Sequence, residues 1–175
     1  KNLVAHDSGN TFKTIISTLN EIGYTIDFTV INSQEAGLPQ NRERTYIVGI
    51  LGGKECEKIE DKRNKKINAL KKTFNYKGFN FFDTLVFDRP KLYIKDILED
   101  TIEERYLISN DAVKQFLAES HYEDGDKCSD KIVKLFDLPK DVWNDLERQR
   151  RVYSINGISP TILARSDTTK IYIKT

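Results

Sequence analysis

The residues best equipped for chemistry lie close together. Gln40, Arg42 and Arg44 occupy alternate positions behind a Gly37-Leu38-Pro39 turn and ahead of an apolar run over 45–51. A guanidinium is a planar fork of donors suited to phosphate oxygens and base edges, and a glutamine amide both donates and accepts. If the strand's period of two extends back through the polar run, these three side chains point one way and Asn41 and Glu43 the other. Such a row could hold an anion or a nucleobase. A surface loop whose arginines pair with nearby acids would use the same residues, and the motif alone leaves both readings open.

The whole chain narrows the choice only slightly. Its 175 residues admit one domain, or a small domain and part of another. Hydrophobic residues at 38% and charged ones at 31% fit a soluble globular protein. No apolar run approaches the roughly 20 residues that span a bilayer, and nothing resembles a signal peptide, so no membrane partner is expected. Cys56 and Cys128 lack C-x-x-C spacing, which argues against a disulfide framework or a zinc site and for a reducing cytoplasm. His121 near Asp124 and Asp126 has unremarkable spacing, so no metal is expected. The net charge of +1 makes no case for nucleic acid, but its distribution is uneven. Nine Lys/Arg stand against four Asp/Glu over 54–77 and six against fifteen over 96–147, after which the chain turns basic again. A basic face assembled from separated segments would suit a polyanion; ordinary solvated faces would read the same way. The chain starts Lys1-Asn2-Leu3 and contains no methionine, which predicts an excerpt or processed piece of a longer protein.

The elements that must position these residues read as follows. Leu3-Val4-Ala5 suggests a strand end or tight turn leading into a helix capped by one of the polar residues over 6–10. His6 is expected to be structural rather than a base. Phe12, Ile15, Ile16, Leu19 and Ile22 form one helical face that Gly23 would end. Tyr24, Ile26, Phe28 and Val30 alternate with Thr25, Asp27 and Thr29, as in a half-buried strand. The run over 45–51 would be its antiparallel neighbour, giving one end of an α/β domain. Ile67, Leu70 and Phe74 suggest a short helix within a charged connector, a mobile solvated linker being the equal alternative, and the aromatic stretch 75–87 a packing segment. Ser109 would cap a helix buried through Val113, Phe116 and Leu117, residues 121–130 an exposed loop, and Trp143 a core residue. Two strand-like runs joined by Ile155-Asn156-Gly157 resemble a hairpin, and a further strand is expected at 171–173.

These phrases, in this order, resemble the bacterial DNA (cytosine-5) methyltransferases. The resemblance is carried by Lys1-Asn2-Leu3, His6-Asp7-Ser8-Gly9-Asn10-Thr11 and Gly37-Leu38-Pro39-Gln40-Asn41-Arg42-Glu43-Arg44. Later come Lys95-Asp96-Ile97-Leu98, Tyr106-Leu107-Ile108-Ser109, Arg151-Val152-Tyr153 and Gly157-Ile158-Ser159-Pro160-Thr161-Ile162. It is continuous over 1–53 and 151–165, patchy over 91–117 and undetectable elsewhere. It implies the C-terminal edge of an S-adenosylmethionine-dependent α/β domain at 1–53, a charged and aromatic connector at 54–90, and a small mixed α+β target recognition domain at 91–175. It also implies a monomer acting on double-stranded DNA in a bacterial restriction–modification system.

By the same resemblance, Arg44 bonds the cytosine ring carbonyl, while Arg42 and Gln40 hold the active-site loop and the DNA backbone. Thr161 contacts a phosphate, and Arg148, Gln149, Arg150, Arg151, Tyr153 and Arg165 are DNA-binding. Arginine can match guanine and glutamine adenine in the major groove, while other contacts anchor phosphates. The family's nucleophilic cysteine follows a proline, but the four prolines here precede Gln40, Lys91, Lys140 and Thr161. The glycine-rich cofactor loop and the Glu-Asn-Val glutamate are also missing. S-adenosylmethionine is therefore expected to bind elsewhere in the parent protein, and this chain alone is expected to be inactive. A non-catalytic DNA-binding module and an RNA-directed relative remain alternatives.

Overall fold

The computed structural model describes residues 2–57, 59–162 and 169–173. They form two compact units. The first comprises Lys1–Glu35 and Glu43–Asp88, the second Ala36–Arg42 and Arg89–Thr175. Of the stretch 54–90, read from sequence as a connector, residues 54–88 lie within the first unit. Among the described residues no helix is long and apolar enough to cross a membrane.

The first unit begins with helix α1 (Asn2–Ala5), so Leu3-Val4-Ala5 is helical rather than a strand end. A 3-10 turn, His6–Gly9, follows, with Asp7 and Ser8 in the left-handed region. Helix α2 (Asn10–Glu21) is entered through Gly9 and carries no side-chain cap, contrary to the expected polar cap. Its face is as predicted at Phe12 and Ile16, which are buried, whereas Ile22 at its end is exposed.

Strands β1 (Tyr24–Asn32) and β2 (Glu43–Leu51) pair antiparallel, with Ile31 opposite Arg44 and Phe28 opposite Ile47. Here the half-buried expectation fails, because Thr25, Asp27 and Thr29 are as deeply buried as Ile26 and Phe28. Each polar side chain is satisfied internally. Thr25 Oγ1 donates to the Gly53 carbonyl at 2.6 Å and Thr29 Oγ1 to Asp61 at 2.5 Å. The Asp27 carboxylate accepts the main-chain N–H groups of Phe28, Phe81 and Phe82, each at 2.8 Å. Its remaining partner is Lys71 Nζ, 2.5 Å away, and both side chains are fully buried. Lys71 projects from helix α3 (Lys65–Thr73), whose first N–H groups are capped by Asn64 and whose Ile67 is buried. The lysine-rich segment therefore helps to bury β1, through the Lys71–Asp27 pair and through Ile67 in the apolar cluster around Phe28.

Tyr76 completes this core, its ring 5.5 Å from Phe28. Its hydroxyl is buried and, among the described residues, has no hydrogen-bond partner. Burial, and then the Asp27 charge, push its pKa well above the ordinary phenol value. The folded protein thus keeps a proton that the unfolded chain loses above about pH 10, so stability declines as pH rises past that point. Tyr76→Phe should abolish this component and, by deleting an unsatisfied polar atom, leave stability at pH 7 unchanged or higher by about 1 kcal/mol. Urea denaturation at neutral and strongly alkaline pH checks both expectations.

The second unit packs helix α4 (Asp111–Ser120) against a three-stranded sheet of β3 (Lys134–Asp137), β4 (Arg151–Ser154) and β5 (Lys170–Tyr172). β4 is central, antiparallel to β3 and parallel to β5. Asn110, rather than Ser109, caps α4, its side chain accepting from the N–H groups of Ala112 and Val113. Val113, Phe136, Leu138 and Val152 form the core, with Phe116, Leu117 and Trp143 against them; the stripe Val113, Phe116, Leu117 is as its spacing predicted. Loop 121–130 is pinned by Asp124, which accepts from Ser154 Oγ at 2.6 and 2.7 Å. Among the described residues no cluster of His, Cys, Asp or Glu could hold a metal ion.

The expected hairpin around Asn156-Gly157 does not form. Asn156 is buried, with its amide donating to the Gly125 carbonyl at 2.7 Å. The chain beyond it bonds to other segments, Ile158 N–H reaching the Lys131 carbonyl at 3.1 Å. Gly157 is required because a Cβ there would lie 2.9 Å from the Lys131 carbonyl oxygen. The chain on both sides of the Asn-Gly pair thus bonds to residues 131–133, Ser154 N–H reaching the Val133 carbonyl at 2.9 Å, instead of pairing with itself across a two-residue turn.

Candidate nucleic-acid interface

Within the second unit, two segments distant in sequence meet main chain to main chain. Gln40 pairs in parallel with Ser159. Ser159 N–H donates to the Pro39 carbonyl at 2.7 Å, and Asn41 N–H donates to the Ser159 carbonyl at 2.8 Å. Thr161 Oγ1 then donates to the Asn41 carbonyl at 2.9 Å. Pro39 is buried, Gln40 half-buried, and Asn41 and Arg42 exposed. Upstream, Gly37 has φ of +85°, and a Cβ there would come within 2.8 Å of Arg89 Cβ. Only glycine fits both constraints. Asn41 and Ser159, whose main chains make this junction, were not singled out from sequence. Backbone hydrogen bonding leaves no side-chain signature.

The Thr161 hydroxyl has one proton, and here it is committed to Asn41. A phosphate oxygen, which only accepts, must compete for that proton or be met by a main-chain N–H.

The row Gln40, Arg42, Arg44 is not one continuous strand. β2 begins at Glu43, so the strand period does not extend back to Gln40. Gln40 and Arg42 belong to the second unit and Arg44 to the first. Arg44 is exposed near the start of β2, its guanidinium donating to the Glu43 carbonyl at 2.9 Å.

The arginine-rich turn, Glu147–Gln149, leads into β4 and divides sharply. Arg148 is exposed, and among the described residues its side chain enters no ion pair or hydrogen bond. Gln149 is buried, its main-chain carbonyl accepting from the buried Lys170 at 2.6 Å. Arg150 is half-buried and clamps the end of β3, donating to the Leu138 carbonyl at 2.6 Å. Arg151 pairs with Glu147 at 2.6 Å, a hydrogen bond that raises its pKa further and keeps it a permanent cation. Tyr153 is buried in the sheet. Burial and internal bonding thus occupy Gln149, Arg150 and Tyr153, leaving Arg148 open and Arg151 at the rim. Arg165 lies outside the described residues.

A mixed α/β scaffold carrying these paired segments defines a class that comparison makes specific. The model of the family described as C-5 cytosine-specific DNA methylase matches residues 1–174. The chain is 40% identical over 115 residues to the type II methyltransferase M.BanI of Aneurinibacillus aneurinilyticus, covering 66% of this chain and 25% of that protein. It is 33% identical over 171 residues to the orphan methyltransferase M.SPBetaI of Bacillus phage SPbeta, covering 93% and 37%. With the orphan methyltransferase M.Rho11sI of Bacillus phage rho11s it shares 30% identity over 182 residues, covering 95% and 35%. The chain belongs to the C-5 cytosine-specific DNA methylase family. It spans between 25% and 37% of the length of these three relatives.

Proposed function

We propose that this chain is the part of a DNA (cytosine-5) methyltransferase that joins the edge of the catalytic domain to target recognition. The observation that carries the reading is the parallel pairing of Gln40 with Ser159, continued by the Thr161–Asn41 bond. It ties the Gln-x-Arg loop to the Ser-Pro-Thr phrase, so a contact made by one positions the other. The target cytosine leaves the stack before reaction, because C5 and C6 cannot be approached inside a duplex. Arg44 bonds the ring carbonyl and stabilises the negative charge that builds on the ring when a thiolate adds to C6. Gln40 and Arg42 hold the loop and the DNA backbone beside the vacated position. The thiolate comes from a cysteine outside this chain, since neither Cys56 nor Cys128 follows a proline. No glycine-rich cofactor loop lies among these residues, so S-adenosylmethionine, the source of the methyl group, is assigned to another part of the protein.

Methyl transfer from labelled S-adenosylmethionine to mixed-sequence DNA by the full-length protein, with bisulfite mapping of the product, tests this. Label on cytosine in one recurring short sequence is the expected result. DNA binding without transfer would favour a non-catalytic module, and transfer to RNA alone an RNA-directed enzyme. The relatives include type II and orphan methyltransferases; a restriction–modification role predicts a cognate endonuclease cutting the mapped sequence.

Arg148 is the open candidate for groove or phosphate contact. Arg148→Ala should cost about 1–3 kcal/mol and relax specificity at one position if it reads a base. If it binds phosphate, it should weaken all sequences alike and lower the salt slope by about 1. Titrations of target and scrambled duplexes at several salt concentrations separate the two.

A further inference from the structure

Helix α3 carries a charge pattern that the motif-bearing segments do not explain. Its sequence, Lys65-Lys66-Ile67-Asn68-Ala69-Leu70-Lys71-Lys72-Thr73, contains no acidic residue. The helix is anchored from beneath. Ile67 is buried, Leu70 packs on the core, and Lys71 is held by Asp27. Lys65, Lys66 and Lys72 are exposed, together with Ala69 and Thr73. Positions 65, 66, 69, 72 and 73 share one side of an α-helix. Among the described residues these three lysines form no ion pair. The acid nearest in sequence, Asp61, is buried and turned inward, accepting from Thr29 Oγ1 and from the N–H groups of Arg63 and Asn64. Two of the three cations sit in the first helical turn, where the helix dipole disfavours positive charge. Local folding energetics therefore do not account for them.

We propose that this lysine face is a sequence-independent clamp for the phosphodiester backbone of duplex DNA, separate from the Gln-x-Arg loop and the arginine turn. The proposal rests on the reading of the protein as a DNA-binding enzyme. Charge complementarity carries it. The step from Lys65 to Lys72 rises about 10 Å along the helix, a length over which duplex DNA carries about six phosphates. Lysine meets phosphate as a compact point charge on a flexible stem and reads no base, which suits anchoring. A membrane surface is a poor fit, because the apolar face that would enter lipid is already consumed by the core.

The test replaces all three residues in the full-length protein (Lys65→Gln, Lys66→Gln, Lys72→Gln) and measures binding to target and scrambled duplexes across a salt series. Each lost phosphate contact lowers the slope of log affinity against log salt by about 0.9, so a drop of about 2–3 is expected. Affinity should fall by a similar factor on both duplexes, and the methylated sequence should not change. A companion protein with the three lysines changed to arginine should retain the wild-type slope. Wild-type slope and affinity in the glutamine variant would overturn the proposal while leaving the enzyme reading intact. Loss in the arginine variant as well would overturn it in favour of a structural role. If the wild-type protein binds no duplex at all, both readings fall.

Discussion

Arg44→Ala in the full-length protein is expected to lower methyl transfer by about 10²–10³-fold, the usual effect of removing one donor that stabilises developing charge. Affinity for the target duplex should change little, because the side chain lies at the start of β2 and, among the described residues, bonds only its neighbour's carbonyl. Arg44→Lys should recover little of the loss, since an ammonium cannot reproduce a planar fork of donors. Single-turnover kinetics with saturating DNA, alongside an equilibrium binding titration, separates the two quantities. Turnover near the wild-type rate would remove Arg44 from the chemistry. An equal loss in affinity and rate would make it a DNA anchor instead. The exposed position of Arg44, opposite Ile31 in a strand pair buried on its β1 side, makes misfolding a weak explanation for any loss.

The second large effect is on stability. Lys71→Met should destabilise the protein by about 3–5 kcal/mol, because it strands the Asp27 carboxylate in a dry core. The three main-chain N–H groups that Asp27 accepts soften this penalty without supplying a countercharge. Asp27→Asn should also be costly, leaving the Lys71 cation with the Glu60 carbonyl, 3.2 Å away, and the Phe28 ring. The double variant should lose much less than the sum of the two, since each single change isolates a buried charge and the pair together does not. Denaturant midpoints for the four proteins give that coupling directly. A Lys71→Met protein within 1 kcal/mol of wild type would show that solvent reaches the pair. The interaction matters beyond stability, because it fastens α3 to β1, the strand that supports β2 and Arg44.

Much of the local structure was legible in the residues. The apolar face of α2, the antiparallel relation of the runs through Phe28 and Ile47, and the stripe Val113, Phe116, Leu117 all follow from periodicity. The resemblance to cytosine-5 methyltransferases likewise rested on ordered phrases, and family membership agrees with it. Periodicity misled at β1, where alternating Thr25, Asp27 and Thr29 look solvent-facing. A pattern of polar residues reports only that they need partners; whether water or protein supplies them depends on what the fold lays on top. Here residues 54–88 do so, with one lysine of a charged run turned inward to Asp27. The candidate site shows the same division. Residue types alone mark Gln40, Arg42, Arg44 and the arginine turn as donors. The tertiary structure decided that Ser159 and Thr161 bind the Gln-x-Arg loop, and that Gln149 and Tyr153 are buried while Arg148 is open. It also set the chain on both sides of Asn156-Gly157 against residues 131–133 in place of the expected hairpin. The physical reason is common to all three: main-chain hydrogen bonds between distant segments and close backbone approaches carry no side-chain code, so composition and spacing cannot announce them.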